Sequence, residues 1–188
     1  MILDSWVWKR DLARRGDVLQ KRIQQQRWTE ASCANVERDI FLSAYVVRKL
    51  LEAGKISDEV ESTSLRAVEY YLRKECTVDI MNWHKLDELY DLSSGTETVV
   101  NIREYCNQII HSFVFSLSFS ESGGLDGFFV ASDREKDRRL LYLNISTVAE
   151  ALRCVTEDDV VTLQMSRNGV GMPMKIIKKS NQPPTVIR

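Results

Sequence analysis

From Asn35 to Gly54 the apolar residues Val36, Ile40, Ala44, Val47 and Leu51 recur every three or four positions, the spacing that turns one face of an α-helix toward a core. Asn35 suits the N-cap of that helix and Gly54 the left-handed position past its end. A sparser stripe of Trp8, Leu12, Leu19 and Ile23 predicts a helix before it, interrupted at Gly16. Trp83, Leu86 and Tyr90 mark a short helix with Asn82 as its cap and Ser93, Ser94 and Gly95 as its stop, and a further helix is predicted from about Thr98 to His111. Residues 62–76 fit neither period, so helix and strand both stay open there.

After Phe113 the period changes. Phe113, Phe115, Leu117 and Phe119 alternate with smaller residues, as in a half-buried strand. "GFFVAS" and "RLLYLNI" flank the charged "DREKDR" as the two arms of a hairpin. "STVAEALRCV" reads as a short helix capped by Ser146, and a second hairpin turns at Asn168 and Gly169. Helices first and antiparallel strands later define an α+β chain. We read one domain over residues 1–180, with a helical part over about 1–112, a strand-rich part over about 113–180, and a loose tail at 181–188.

Composition narrows this picture. At 188 residues and 44% hydrophobic, with 8 Gly and 3 Pro, the chain can bury a core without disulfides or metals. The formal net charge of -1 excludes a globally basic nucleic-acid binder. Basic residues gather at the two ends, however. Lys9 to Arg27 holds seven against Asp11 and Asp17, and Gln164 to Arg188 holds five with no acid. Such runs are solvated surface or, assembled together, a phosphate-tracking face. Cys33, Cys76, Cys106 and Cys154 are scattered, with no CxxC pair, and fit buried thiols in a reducing compartment. With no apolar run of signal or membrane-spanning length, the expectation is a cytoplasmic protein that does not engage a membrane.

Neither a phosphate-cradling glycine loop, a nucleophile elbow nor an HExxH motif is present, and no cofactor or metal is expected. The candidate chemistry lies in "REYCNQIIHSF". Ile102, Tyr105, Cys106, Ile109 and Ile110 form its apolar face, while Arg103, Asn107 and His111 lie at about 100°, 140° and 180° from Ile102, a polar border to the core. A neutral imidazole can exchange a proton with a ribose hydroxyl, and an arginine can stabilise charge gathering on a phosphate. The trio therefore suits metal-free phosphodiester cleavage, with Arg103, Asn107 and His111 as the catalytic candidates. Roughly 12 Å of helix rise separates Arg103 from His111, so a second element or subunit must complete the site. The alternative is structural, with His111 complementing the free carbonyls at its helix end. His84 is the other histidine and comes near His111 if their helices pack. Trp83 and Tyr90 suit the core better than a base-stacking platform.

A helix carrying Arg103, Asn107 and then His111 within a small, largely helical protein resembles the HEPN group (higher eukaryotes and prokaryotes nucleotide-binding domains). The likeness covers the helices between Asn35 and His111. Glu104 follows the arginine here, and the spacing to the histidine is longer than is usual in that group. The resemblance implies a helical bundle, often a homodimer, and a metal-free endoribonuclease of a defence or toxin-antitoxin system acting on RNA. Two further readings stand beside it: a non-enzymatic module that binds a protein partner through its strand-rich half, and an RNA-binding domain that uses the basic ends without cleavage.

Overall fold

The computed structural model describes residues 2–167, 169 and 171–183. In chain order the elements are α1 (Trp6–Arg22), α2 (Glu30–Glu52), α3 (Asp58–Glu61), β1 (Ser64–Tyr71), α4 (Leu86–Leu89), β2 (Thr96–Asn101), α5 (Ile102–Ile110), β3 (Ser112–Phe119), β4 (Leu125–Ser132), β5 (Arg139–Asn144), α6 (Ile145–Glu157), β6 (Thr162–Ser166) and β7 (Lys175–Ser180). The fold is α+β. Five antiparallel strands make one sheet in the order β2-β1-β5-β4-β3, and β6 and β7 make a separate two-stranded ribbon.

The strand alternation assigns each face of the sheet. Leu65 and Ala67 of β1, Val100 of β2, Phe128 and Val130 of β4, and Leu141 and Leu143 of β5 join the main core. Over them lie Val36, Ile40, Ala44, Val47 and Leu51 of α2, the stripe seen in the sequence, together with the apolar faces of α1, α5 and α6. On the opposite face Val114, Ala131 and Leu140 pack beneath the segment carrying Val78, Leu86, Leu89 and Tyr90. Tyr90 is wholly buried, and its hydroxyl donates to the carbonyl of Lys136 at 2.6 Å. Trp83 packs against this second cluster, so both aromatics are core residues.

Several boundaries differ from the sequence pattern. The helix expected over 98–111 is a strand to Asn101 and a helix only from Ile102. Thr96, Thr98, Val99 and Val100 form a β-branched run that pairs along β1, and the Asn101 side chain then caps α5 by accepting from Glu104 N at 2.8 Å. Residues 64–71 resolve as a strand, so β1 and β2 both fall within the part read as helical. α1 runs straight through Gly16, which lies beside Leu152 of α6. α2 begins five residues before Asn35, capped by Thr29 and Ser32. Asn144 rather than Ser146 caps α6, and the short helix near Trp83 starts only at Leu86 without a side-chain cap. The ribbon turn read at Asn168 and Gly169 lies partly outside the described residues, as does most of the tail.

Two glycines are required by their surroundings. Gly54 ends α2 with φ of 66°, a left-handed conformation that glycine adopts without steric cost. At Gly124 an added Cβ would lie 1.8 Å from the carbonyl oxygen of Ile23, so the β3–β4 turn and the end of α1 can touch only through a glycine.

One buried carboxylate joins the two ends of the fold. Asp158, 4% exposed, follows α6 and accepts from Ser57 N at 2.7 Å, Ser57 Oγ at 2.8 Å and Asn181 Nδ2 at 3.1 Å. Its carbonyl accepts from the ammonium of Lys9 in α1. Truncating it strands the buried main-chain and side-chain donors of Ser57. Asp158→Ala is therefore expected to lower unfolding free energy by roughly 2–4 kcal/mol, measured by urea denaturation; a change within about 0.5 kcal/mol, typical of a surface position, contradicts the assignment.

Candidate functional site

α5 has nine residues and presents a strongly two-sided surface. Ile102, Tyr105, Cys106 and Ile109 are buried against α2 and the sheet, and burial pushes the Cys106 thiol up to about 12. The polar border predicted from the sequence is present, but each of its members is drawn to a different neighbour. Arg103 donates to Glu61 Oε1 of α3 through Nη2 at 2.5 Å and Nε at 3.2 Å. The other oxygen of Glu61 accepts from Lys179 of β7 at 2.6 Å. Burial works to raise the Glu61 carboxyl, but Lys179 and Arg103 outweigh it and hold the group below its ordinary value.

Asn107 faces α2, where its Oδ1 accepts from Arg48 Nη1 at 2.6 Å. Arg48 also binds Glu52, which the neighbouring Arg48 and Lys49 hold at about 2. His111 is the C-cap. Its main-chain N–H donates to Asn107 O at 3.1 Å and its carbonyl accepts from Asp133 N at 2.9 Å. Its imidazole is exposed, and among the described residues it makes no hydrogen bond. The structure thus puts the three on one helix edge without joining any two of their side chains among the described residues. The charge on Arg103, whose side chain is 42% exposed, is paired with a carboxylate. His84 stands edge-on to Trp83, ring centres 5.8 Å apart. No group of three or more metal-ligating side chains assembles among the described residues.

The basic ends do approach one another, because Lys9 of α1 and Asn181 beyond β7 both bind Asp158. Much of their charge is neutralised on the way. Arg14 and Arg15 bind Asp11, Arg15 also binds Asp39 at 2.6 Å, and Lys179 is held between Asp58 and Glu61. Arg10 lies over the Trp6 ring at 4.6 Å.

The feature that sequence reasoning passed over is the exposure of the β6–β7 ribbon. Its base is tied to α3: Lys179 N donates to Asp58 at 2.9 Å and Ser180 Oγ to Glu59 at 2.6 Å. Beyond that base Leu163, Met165, Met172, Met174, Ile176 and Ile177 are all exposed, Ile177 by 59%. From Thr162 to Ser180 the chain carries Arg167, Lys175, Lys178 and Lys179 and no acid. The visible signal was the Ile176–Ile177 pair, which puts large apolar residues on both faces of a strand with only one partner.

Comparison with known proteins adds no relative: no model of a known family matches the chain, and neither a curated protein nor a solved structure matches it significantly.

Two outcomes follow from the α5 border. A carboxyl held below its ordinary value stabilises the fold above its unfolded pKa and loses that contribution as pH falls through the folded one. Glu61→Gln is thus expected to be less stable than wild type at pH 7, with the gap closing below pH 4.5; a gap that stays constant from pH 7 to pH 3 refutes the ion-pair role. His111→Ala is expected to unfold within about 0.5 kcal/mol of wild type, as read by the same denaturation curves.

Proposed function

We propose that the protein is a non-enzymatic protein-interaction module that docks through the β6–β7 ribbon. The observation that carries this reading is the set of six large apolar side chains exposed on a ribbon that pairs with no third strand. A two-stranded hairpin is marginal on its own in water, and contiguous exposed apolar surface marks an interaction site. Each ribbon strand also has one unpaired edge, which a partner strand can extend. A lipid surface would leave those main-chain groups unsatisfied, so a protein partner fits better than a membrane. Arg167, Lys175 and Lys178, with no acid on the ribbon, favour an acidic partner and disfavour ribbon-to-ribbon pairing in a homodimer, where like charges meet.

A second reading is the HEPN-like, metal-free endoribonuclease, with Arg103, Asn107 and His111 at a cleft completed by another subunit. It is favoured by the unengaged His111 imidazole at the exposed end of α5. It requires Arg103 to exchange Glu61 for a phosphate. The RNA-binding reading without cleavage rests on the cations left unpaired near the two ends.

A blocked decapeptide alternating valine and glutamate tests the first reading. It is expected to bind the full chain, to weaken as salt rises, and to lose at least tenfold in affinity in Ile177→Asp/Lys178→Glu. Equal affinity in that variant removes the ribbon as the docking element. Single-stranded RNA incubated with the protein and a chelator is expected to stay intact; cleavage by wild type that is lost in His111→Ala establishes the ribonuclease instead.

A further inference from the structure

The seam between β1 and β5 is only half closed. β1 pairs with β2 over its length, from Ser64↔Asn101 to Glu69↔Thr96, yet with β5 it pairs only from Val68↔Tyr142 to Tyr71↔Arg139. Which main-chain groups this leaves open follows from strand geometry. Leu72 N donates to Arg138 O on the β5 side, and Tyr71 O accepts from Asp91 N on the β2 side. Alternate residues of a strand direct N–H and C=O to the same edge, so the even-numbered residues of β1 face β5. Arg66 is the next of these beyond Val68. By register its partner is Asn144, the last residue of β5, which still pairs with Gly127 of β4 but leads there into α6, its Oδ1 accepting from Ser146 N at 2.9 Å, and the β1–β5 pairing does not reach it. The N–H and C=O of Arg66, an exposed residue, and the N–H of Asn144 therefore face an opening where a ladder bond would be, and unpaired main-chain groups of a strand are a template for an added one.

That opening is a cleft of about 800 Å³, within the size of natural ligand sites. Arg66, Glu97 and Val99 line it from β1 and β2, and Tyr142, Asn144 and Glu150 from β5 and α6. Tyr142 is fixed in place, its hydroxyl donating to Asp126. Among the described residues Arg66 and Glu97 make no ion pair, and Glu150 makes only a 3.9 Å contact with Arg153. Two carboxylates against one guanidinium leave the cleft with an excess of negative charge. A ligand that presents alternating amide donors and acceptors and carries a cation matches both properties.

We propose that this opening binds an extended peptide segment with a basic side chain, which continues the interrupted ladder on the main chain of Arg66 and Asn144. The segment adds a short stretch of strand in the wedge between β1 and β5, and its cation lies between Glu97 and Glu150. The site is separate from the ribbon. Asn144 and Asp158 mark opposite ends of the 13-residue α6, roughly 20 Å apart, and the two surfaces prefer peptides of opposite charge.

The test uses the full ¹⁵N-labelled chain and a blocked hexapeptide alternating valine with lysine and threonine. Saturable shifts are expected at the amides of Arg66, Val99 and Thr147. Arg66→Ala retains the main-chain groups and is expected to bind within threefold of wild type. Arg66→Pro removes an N–H that β2 does not use, and is expected to bind at least tenfold more weakly. The same peptide N-methylated at alternate residues cannot complete the ladder and is expected to lose binding to wild type, which tests the same bonds without altering the protein. Absent or non-saturable shifts, shifts confined to other surfaces, undiminished binding of the methylated peptide, or an Arg66→Ala loss equal to that of Arg66→Pro each overturn the proposal.

Discussion

The carboxylate of Asp158 is the constraint on which the arrangement of the outer elements depends. Removing an ionised carboxylate from water costs several kcal/mol, and this one recovers the loss by accepting from the main chain and side chain of Ser57 and from Asn181. Its own carbonyl holds Lys9. The end of α6, the start of α3, the first turns of α1 and the exit of β7 are thus positioned by a single residue. The root of the ribbon is fixed here, and the same junction draws together the two basic ends of the chain.

A comparable tie organises the other end of the sheet. Arg139 of β5 donates to Glu69 of β1 at 3.0 Å, to Glu104 of α5 at 2.8 Å and to Glu135 at 2.9 Å. It joins the seam strand to the helix that crosses above it. α5 therefore has ionic partners on several sides: Glu104 toward Arg139, Arg103 toward Glu61, Asn107 toward Arg48. These contacts tie α5 to β5, α3 and α2. As a catalytic wall it is less suited, because its arginine is already engaged. The exposed His111 is the member of the border left free.

What the sequence disclosed and what it concealed differ by the range of the interaction. The helical stripe from Val36 to Leu51 and the alternation from Phe113 to Phe119 reflect local periodicity, and both elements stand where the pattern put them. β1 was ambiguous for a physical reason: Leu65 and Ala67 face the main core while Tyr70 packs on the second cluster, so the apolar positions do not fall on one side. β2 was concealed because its β-branched run merges into the amphipathic run of α5 with only Asn101 between them. The polar border of α5 was legible as geometry. Its meaning was not, because Glu61 and Arg48 lie 42 and 59 positions away. The ribbon was read as a hairpin, but its exposure was not legible, because the pattern reports which residues share a face and not whether anything covers it.

The strand order also bears on how the chain reaches this state. β3, β4 and β5 follow one another in sequence and in space and can zip from short turns, whereas β1 reaches β2 across residues 72–95, which carry α4. The β1–β5 seam instead joins Val68 to Tyr142, 74 positions apart, and contacts at that separation carry the larger loop-closure entropy. The sheet is thus two blocks welded along one line. The line begins at the Arg139 cluster and stops at Val68. The cleft is the stretch of that weld that the native state leaves open.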